Sequence, residues 1–446
     1  MTQSTFFETE NEEPVQGITE IAVCGYKSIY EECQIEVRSL TILAGANSSG
    51  KSSIMQPLLL MKQTLEAPYD PGGLKLDGPN VKLTSAEQVL SKLSPEKCRD
   101  EFSVRLNIDT GNFLLNLFRK QPKHGLKVVR ATYCIPYDGG EVITIFPGMQ
   151  HQDLVKILPE DLTNYYTLLL NNIEEKAPLW RVTNFRCFLD LQLELGDSAF
   201  YSYNLGMKFS KHIRRIVHVP GLRGNPERTY NTAGVGSEFP GFFENYVASI
   251  VNYWQETKDE RLIKLGQALE LLGLNWKVEA RQINDVQIEL LVGRLSRSGS
   301  ASDTVSIADV GLGVSQTLPV LVALLVAEPG QLVYLEQPEI HLHPRAQVAL
   351  AQILVDSANR GVRVVLETHS ELLLLAVQSL VAEGKILPDL VKLHWFKRRD
   401  DGVTEVSSAD LDETGAFGDW PEDLGDVSLH LENRYLDAAE AVLWKR

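Results

Sequence analysis

Cysteine is scarce and unpatterned in this chain. Five thiols (Cys24, Cys33, Cys98, Cys134, Cys187) are scattered over 446 residues, and none form a CxxC pair. That excludes a disulfide framework and a cysteine zinc site as organising features, and it reads as reduced thiols. Basic charge is also short. With 43 Lys and Arg against 59 Asp and Glu, the net charge is −16, the wrong sign for a chain that neutralises many phosphates at once. The excess is uneven: residues 400–446 hold 13 acidic and 3 basic side chains. The remainder is only mildly acidic, which leaves room for a local basic groove. No uninterrupted apolar run approaches the roughly 18 residues that span a bilayer. The opening residues, Thr5-Phe6-Phe7-Glu8-Thr9-Glu10, lack the basic-then-apolar order of a secretory leader. Together these absences predict a cytoplasmic chain with no membrane attachment. No heptad pattern is sustained and no period of solenoid length recurs, which excludes a long coiled coil and a repeat array.

What is present is ordinary globular material, 44% hydrophobic and 23% charged. The length predicts one large domain with an insertion, or two to three lobes. From Ile18 the pattern is strand-like: Ile18, Ile21 and Val23, then Ile35-Glu36-Val37, then Leu40-Thr41-Ile42-Leu43-Ala44. The last run is apolar and stops at Gly45, which predicts a buried central strand and a tight turn. Helical spacing follows from Lys51 to about Leu65, with Pro57 kinking the helix or absorbed in its early turns. Beyond about residue 305 the pattern sharpens again into strand, helix, strand, helix, the mark of a largely parallel α/β sheet.

The segment Gly45-Ala46-Asn47-Ser48-Ser49-Gly50-Lys51-Ser52 satisfies GxxxxGK[ST], with a strand before it and a helix after it. Such a loop wraps backbone N–H groups around a β-phosphate, and the helix N-terminus adds partial positive charge. Lys51 is the candidate to bridge β- and γ-phosphates, and Ser52 the candidate Mg²⁺ ligand, with Ser53 next to it. ATP and Mg²⁺ are the expected cofactors.

Three later segments bear on the kind of ATPase. Leu332-Val333-Tyr334-Leu335-Glu336-Gln337-Pro338-Glu339 is an apolar strand ending in carboxylates, which makes Glu336 the candidate second metal contact. Val364-Val365-Leu366-Glu367-Thr368-His369-Ser370 is a strand whose tip offers His369 to a γ-phosphate. Asp309-Val310-Gly311-Leu312-Gly313-Val314-Ser315-Gln316 is a glycine turn into a helix, a second anion-binding feature.

This set and its order resemble the ABC-type ATPase heads of the OLD (overcoming lysogenization defect) family and related bacterial defence ATPases. Gly25-Tyr26-Lys27-Ser28-Ile29 and Ile340-His341-Leu342-His343-Pro344 belong to the likeness, and Trp420-Pro421-Glu422 resembles a short C-terminal element of some members. The resemblance implies an α/β head with a mixed or parallel central sheet, interrupted by a long α+β insertion. The segments would be an acidic tail (1–17), an N-terminal ATPase part (18–100), an insertion (101–300), a C-terminal ATPase part (301–400) and an acidic extension (401–446). It also implies a head-to-tail dimer, or a higher even-numbered oligomer, in which Gly311, Gly313 and Ser315 of one subunit cover the phosphate held by the other. The chain would then be the regulatory ATPase of an anti-phage system. Its effector, a nuclease or toxin, would be a separate protein, because no paired-acid nuclease segment follows the ATPase motifs.

One position departs from the pattern. Where ABC ATPases carry a glutamate after the metal-binding acid, this chain has Gln337. An amide orients water but does not accept its proton. Either Glu339 supplies the carboxylate, or hydrolysis is slow and ATP acts as a conformational clamp. A glutamine that follows conformational change near the metal could be Gln56, Gln63 or Gln88. His341 and His343 alternate near Glu339 and raise a metal site as a lesser alternative. The basic runs at residues 119–130 and 211–215 are either a solvated face or a nucleic-acid groove. A DNA-repair or chromosome-handling ATPase, and an ATP-binding scaffold with little turnover, remain the competing functions.

Overall fold

The computed structural model describes residues 17–418, except 109–110, 123–124, 136–140, 173–177, 196–198 and 294–302, together with residues 433–437. Most of the N-terminal tail and Trp420-Pro421-Glu422 lie outside them. Residues 433–437 are helical.

The chain opens with the antiparallel pair β1 (Ile18–Cys24) and β2 (Cys33–Glu36), then enters β3 (Leu40–Gly45), which delivers the phosphate loop to α1 (Lys51–Leu65). Pro57 lies buried inside α1, and the helix runs on to Leu65. The chain then returns to the first sheet through β4 (Glu101–Ile108), β5 (Asn112–Gln121), β6 (Gly125–Ile135) and β7 (Glu141–Ile145), giving the order β2-β1-β4-β5-β6-β7. In β4 every second residue is buried, as in a sheet packed on one face only.

Two short helices, α2 (His151–Val155) and α3 (Glu160–Asn172), precede a three-stranded sheet of β8 (Leu179–Phe185), β9 (Phe188–Leu195) and β10 (Ala199–Tyr203). After α4 (Met207–Arg214), the three-residue strand β11 (Val217–Val219) joins the central sheet. A further small sheet holds β12 (Tyr230–Asn231), β13 (Val278–Asn284), β14 (Gln287–Gly293) and β15 (Thr304–Ser306), with α5 (Glu244–Thr257) and α6 (Glu260–Leu271) between its strands. The C-terminal half alternates α7 (Leu312–Val326), β16 (Leu332–Glu336), α8 (Pro344–Asn359), β17 (Arg363–Glu367), α9 (Glu371–Ala382), β18 (Val391–Arg398) and β19 (Thr404–Ala409).

The central sheet runs β11-β16-β17-β3-β18-β19 and is parallel except at β19. This is the expected α/β class with a mixed sheet. Alternate side chains feed two separate cores: Ile42, Val333, Leu335, Val364 and Leu366 face one, while Leu43, Leu332, Tyr334, Val365 and Phe396 face the other. A sheet covered on both faces needs apolar residues at both parities. That is why its strands read as short unbroken apolar runs.

The domain edges expected from the sequence differ from the pairing. Residue 100 falls inside the first sheet, because β1 needs β4 to satisfy its second edge. Likewise, β11 comes from the expected insertion and β19 from the expected acidic extension, yet both complete the central sheet.

Candidate nucleotide site at the ends of the central strands

The phosphate loop is held in a conformation that few residues adopt. Gly45 and Gly50 lie at φ 138° and 109°, and Ser48 at 61°. A Cβ on Gly45 would sit 2.1 Å from the Phe396 carbonyl oxygen, and one on Gly50 would sit 2.5 Å from Thr404 Oγ1. The β18–β19 hairpin supports the loop from outside. Thr404 Oγ1 lies 2.8 Å from both the Ser49 carbonyl oxygen and Ser28 Oγ, and Arg398 Nη1 donates to the Ser48 carbonyl at 3.3 Å. Lys51 Nζ donates to the carbonyls of Gly45 (2.9 Å) and Ala46 (2.8 Å), and burial lowers its pKa against a smaller upward pull from Glu367. Gly45→Ala should therefore destabilise the protein by about 3 kcal/mol or more, since the β3–β18 pairing has to shift. An unchanged chemical-denaturation midpoint would show that the loop relaxes freely.

The loop opens on a cavity of 510 Å³ whose walls include Lys51, Ser52, Gln56, Gln337, Glu367 and His369. Register decides which acid meets Ser52. Strand β17 lies directly beside β3, with Glu367 opposite Leu43, while β16 is one strand further out, with Glu336 opposite Glu367. Accordingly, Ser52 Oγ donates to Glu367 Oε2 at 2.9 Å, and the Tyr334 hydroxyl donates to Glu367 Oε1. Glu336 instead contacts His218 Nε2 at 3.1 Å and accepts from the Gly221 N–H at 3.1 Å. Glu367 thus takes the place beside Ser52 that was expected of Glu336. Burial first, and the Glu336 charge second, push the Glu367 carboxyl up to about 7. Burial also acts to raise Glu336, but His218 and the Gly221 N–H outweigh it and hold that group below the ordinary carboxylate range.

Glu339 is buried, and its Oε1 accepts from Thr368 Oγ1 (2.6 Å) and the His369 N–H (3.2 Å), fixing the Thr-His turn. Its other oxygen, Oε2, is buried with no partner among the described residues. Glu339 lines a second opening together with Asn47, Gln337 and His369. Gln337 is at φ 44°, and its N–H donates to the Glu367 carbonyl at 2.9 Å. Burial, and then Lys51, lower the His369 pKa, favouring the neutral ring.

A family model described as "AAA domain, putative AbiEii toxin, Type IV TA system" (AAA_21) matches residues 40–376. The chain belongs to this AAA_21 family. The resemblance read from the motifs holds at this coarser level, an AAA-type ATPase. No curated protein matches the chain. Several solved structures are similar to this AAA_21 chain. An Smc head domain with a coiled coil and joint from Pyrococcus yayanosii is 11% identical at TM-score 0.45, covering 89% of this chain and 98% of that one. An Smc head with an extended coiled coil, bound to the C-terminal domain of ScpA and derived from Pyrococcus furiosus, is 13% identical at TM-score 0.43, covering 89% and 96%. The SMC head domain from Thermotoga maritima is 12% identical at TM-score 0.35, covering 88% and 98%.

The remaining sequence candidates fall into place on this AAA_21 chain. The 311–315 turn is outside the walls of the phosphate-loop cavity. Gly311 and Leu312 are exposed, and a Cβ on Gly311 would meet nothing within 4 Å. Ser315 Oγ donates within its own helix, to the Leu312 carbonyl at 3.3 Å. Of the three glutamines, Gln56 lines the cavity, accepting from Lys27 Nζ at 2.5 Å and Tyr26 OH at 3.1 Å. Gln63 bonds the Lys75 and Val81 backbone, and Gln88 caps a short helical turn at Ser85. His343 caps α8 by accepting the Arg345 N–H. Among the described residues, no group of three or more His, Cys, Asp or Glu is arranged to hold a metal ion. Several cations of the basic runs have acidic partners: Arg119 with Glu101, Lys120 with Glu87, Arg215 with Glu328. No helix among the described residues is long and apolar enough to cross a membrane.

The residues present fit Mg²⁺-ATP. A 15-residue helix presents its N-terminus to the cavity, the glycine cradle has no room for a Cβ, and the Ser52 hydroxyl meets the Glu367 carboxyl, with the Glu336 carboxyl on the adjacent strand. One of those carboxyls keeps its proton near neutrality, in a place a divalent cation would favour the charged form.

Proposed function

We propose that this protein is an ABC-type ATPase that binds Mg²⁺-ATP between two copies in head-to-tail contact. The carrying observation is the separation within one chain of the phosphate-loop cavity from the 311–315 turn, whose leading residues Gly311 and Leu312 are exposed. A glycine turn at a helix N-terminus suits an anion, and the anion at hand is the ATP of a second copy. Asn47, Ser48, Ser49, Gly50, Lys51 and Ser53 would contact the phosphates. Ser52 with the Glu336–Glu367 pair would hold the ion, whose contribution is to neutralise charge on the β- and γ-oxygens. His369 would donate to the γ-phosphate, and Gln337 or Glu339 would orient water.

The family description, which names a putative AbiEii toxin and a type IV toxin–antitoxin system, supports a place in bacterial defence; the separate effector rests on the motif resemblance alone. A neighbouring nuclease, toxin or reverse-transcriptase gene would agree with that role, and a permease gene would remove it. A DNA-repair or chromosome-handling role is the runner-up.

The composite site is tested by mixing. Lys51→Ala should weaken ATP binding by about 100-fold or more, as expected for a phosphate-bridging lysine. Gly313→Glu should spare ATP binding and abolish ATP-driven association. Mixing the two variants rebuilds one intact site per mixed dimer, so association followed by light scattering should reappear. A mixture as inert as its components would place the turn and the loop in the same site, and ATP binding unaffected by Lys51→Ala would remove the reading altogether.

A further inference from the structure

Arg223 joins the two parts of the site that the chain keeps apart. It lies in the loop after β11, a half-buried residue between an exposed Leu222 and an exposed Gly224. Its Nη1 donates to the carbonyl of Gln316, in the first turns of α7 just past the 311–315 turn, at 3.1 Å. Its Nη2 donates to the carbonyl of Glu336 at 3.0 Å and reaches that of Gln337 at 3.4 Å. The tie is returned by the Gln316 side chain, whose Nε2 donates to the Gly224 carbonyl at 3.0 Å. One planar guanidinium therefore spans the root of the glycine turn and the corner where the phosphate cavity begins. Its fork geometry makes the spacing between those two backbones rigid in a way a flexible ammonium does not.

The same place is unfinished in its hydrogen bonding. Arg223 Nε, Gln316 Oε1 and Glu244 Oε2 are all buried without a partner among the described residues. Arg223, Glu244 and Ser315 line one cavity of 460 Å³. Buried polar groups are normally satisfied by protein or by water. The corner it grips is itself off the common backbone basins, with Gln337 at φ 44°. An Arg that holds a strained corner and the buried root of the turn at once has the placement of a transmitter between them.

We propose that Arg223 is a positioning residue that couples the Glu336-Gln337 corner to the 311–315 turn, so that ATP held by one chain sets that chain's turn for the second copy. This rests on the composite-site reading above. The coupling is separate from binding, because Arg223 is not part of the wall of the phosphate cavity.

The test uses the full chain with Arg223→Met and Arg223→Lys, reading ATP affinity with a fluorescent ATP analogue and ATP-driven association by sedimentation. Arg223→Met should bind the analogue within about threefold of the wild type, while association weakens at least about tenfold. Arg223→Lys, which keeps the charge but loses the fork, should bind normally and recover part of the association. A merely structural role would lower melting temperature, affinity and association together. If Arg223→Met does not fold, Arg223→Lys decides alone: association equal to wild type overturns the inference, and a selective loss upholds it. A wild-type chain that binds ATP without associating overturns the composite site and this inference with it. A wild type that associates beside variants that do so equally overturns this inference only.

Discussion

Replacing Glu367 by Gln should make the nucleotide-free protein more stable above neutral pH and, at the same time, strip ATP binding of its dependence on Mg²⁺. The two effects have one origin. Glu367 is 3% exposed and stands opposite Glu336 in a parallel pair, so its charged form lacks water and faces a like charge. Its pKa rises from the ordinary 4.5 to about 7. The folded state then keeps a proton that the unfolded chain has already released. Stability therefore falls as pH rises from about 4.5 to about 7, by up to about 3 kcal/mol, and stays low above that. Gln has no such titration. It can still accept from Tyr334 or Ser52, although not from both as the carboxylate does. In metal-free buffer, melting temperatures of wild type and Glu367→Gln should be similar near pH 5 and diverge in favour of the variant by pH 8. A difference that stays constant with pH would show that the carboxyl titrates normally. With ATP present, Mg²⁺ should strengthen wild-type binding at least about tenfold and the variant's hardly at all, because an amide does not offset the ion's charge. An unaltered Mg²⁺ effect would place the ion away from β17.

Glu367 also marks where sequence reasoning stopped short. The phosphate loop was legible because its glycines, lysine and serine are local: a strand, a turn and a helix in one continuous stretch. Glu336 was legible as an acid at the end of an apolar strand. The same signal is present at residues 362–367, another apolar run ending in an acid, directly before Thr368-His369. What no local pattern carries is strand order. Only the pairing β16-β17-β3 shows that the acid of β17 reaches Ser52 while that of β16 turns to His218. The support of the loop by Thr404 and Arg398 was hidden for the same reason, since those contacts join residues some 350 positions apart. The role of Arg223 was hidden as well, because its acceptors are backbone carbonyls, which have no sequence signature.

The second large effect concerns turnover. Gln337→Glu should raise ATP hydrolysis by about 100-fold over the wild type, the lower end of the roughly 10²–10⁴ that a placed general base contributes. The substitution is isosteric, and the backbone at φ 44° is equally uncomfortable for either residue, so the corner keeps its shape. The N–H that bonds the Glu367 carbonyl is retained as well. Glu339 is the rival source of a carboxylate, and its geometry argues for a bracing role. One oxygen already accepts from Thr368 and His369, and the other is buried away from solvent. Glu339→Gln preserves an acceptor for that turn, so it should lower turnover less than about threefold if Glu339 only braces, the loss of a single hydrogen bond at most. A fall of about 100-fold, with ATP affinity intact, would instead make Glu339 the base. The double variant separates the two roles. If Gln337→Glu restores rate on the Glu339→Gln background, the acid at 337 acts by itself, and the wild-type glutamine is what keeps ATP in place long enough to serve as a clamp. If it does not, the Thr-His turn held by Glu339 is required before any base can work.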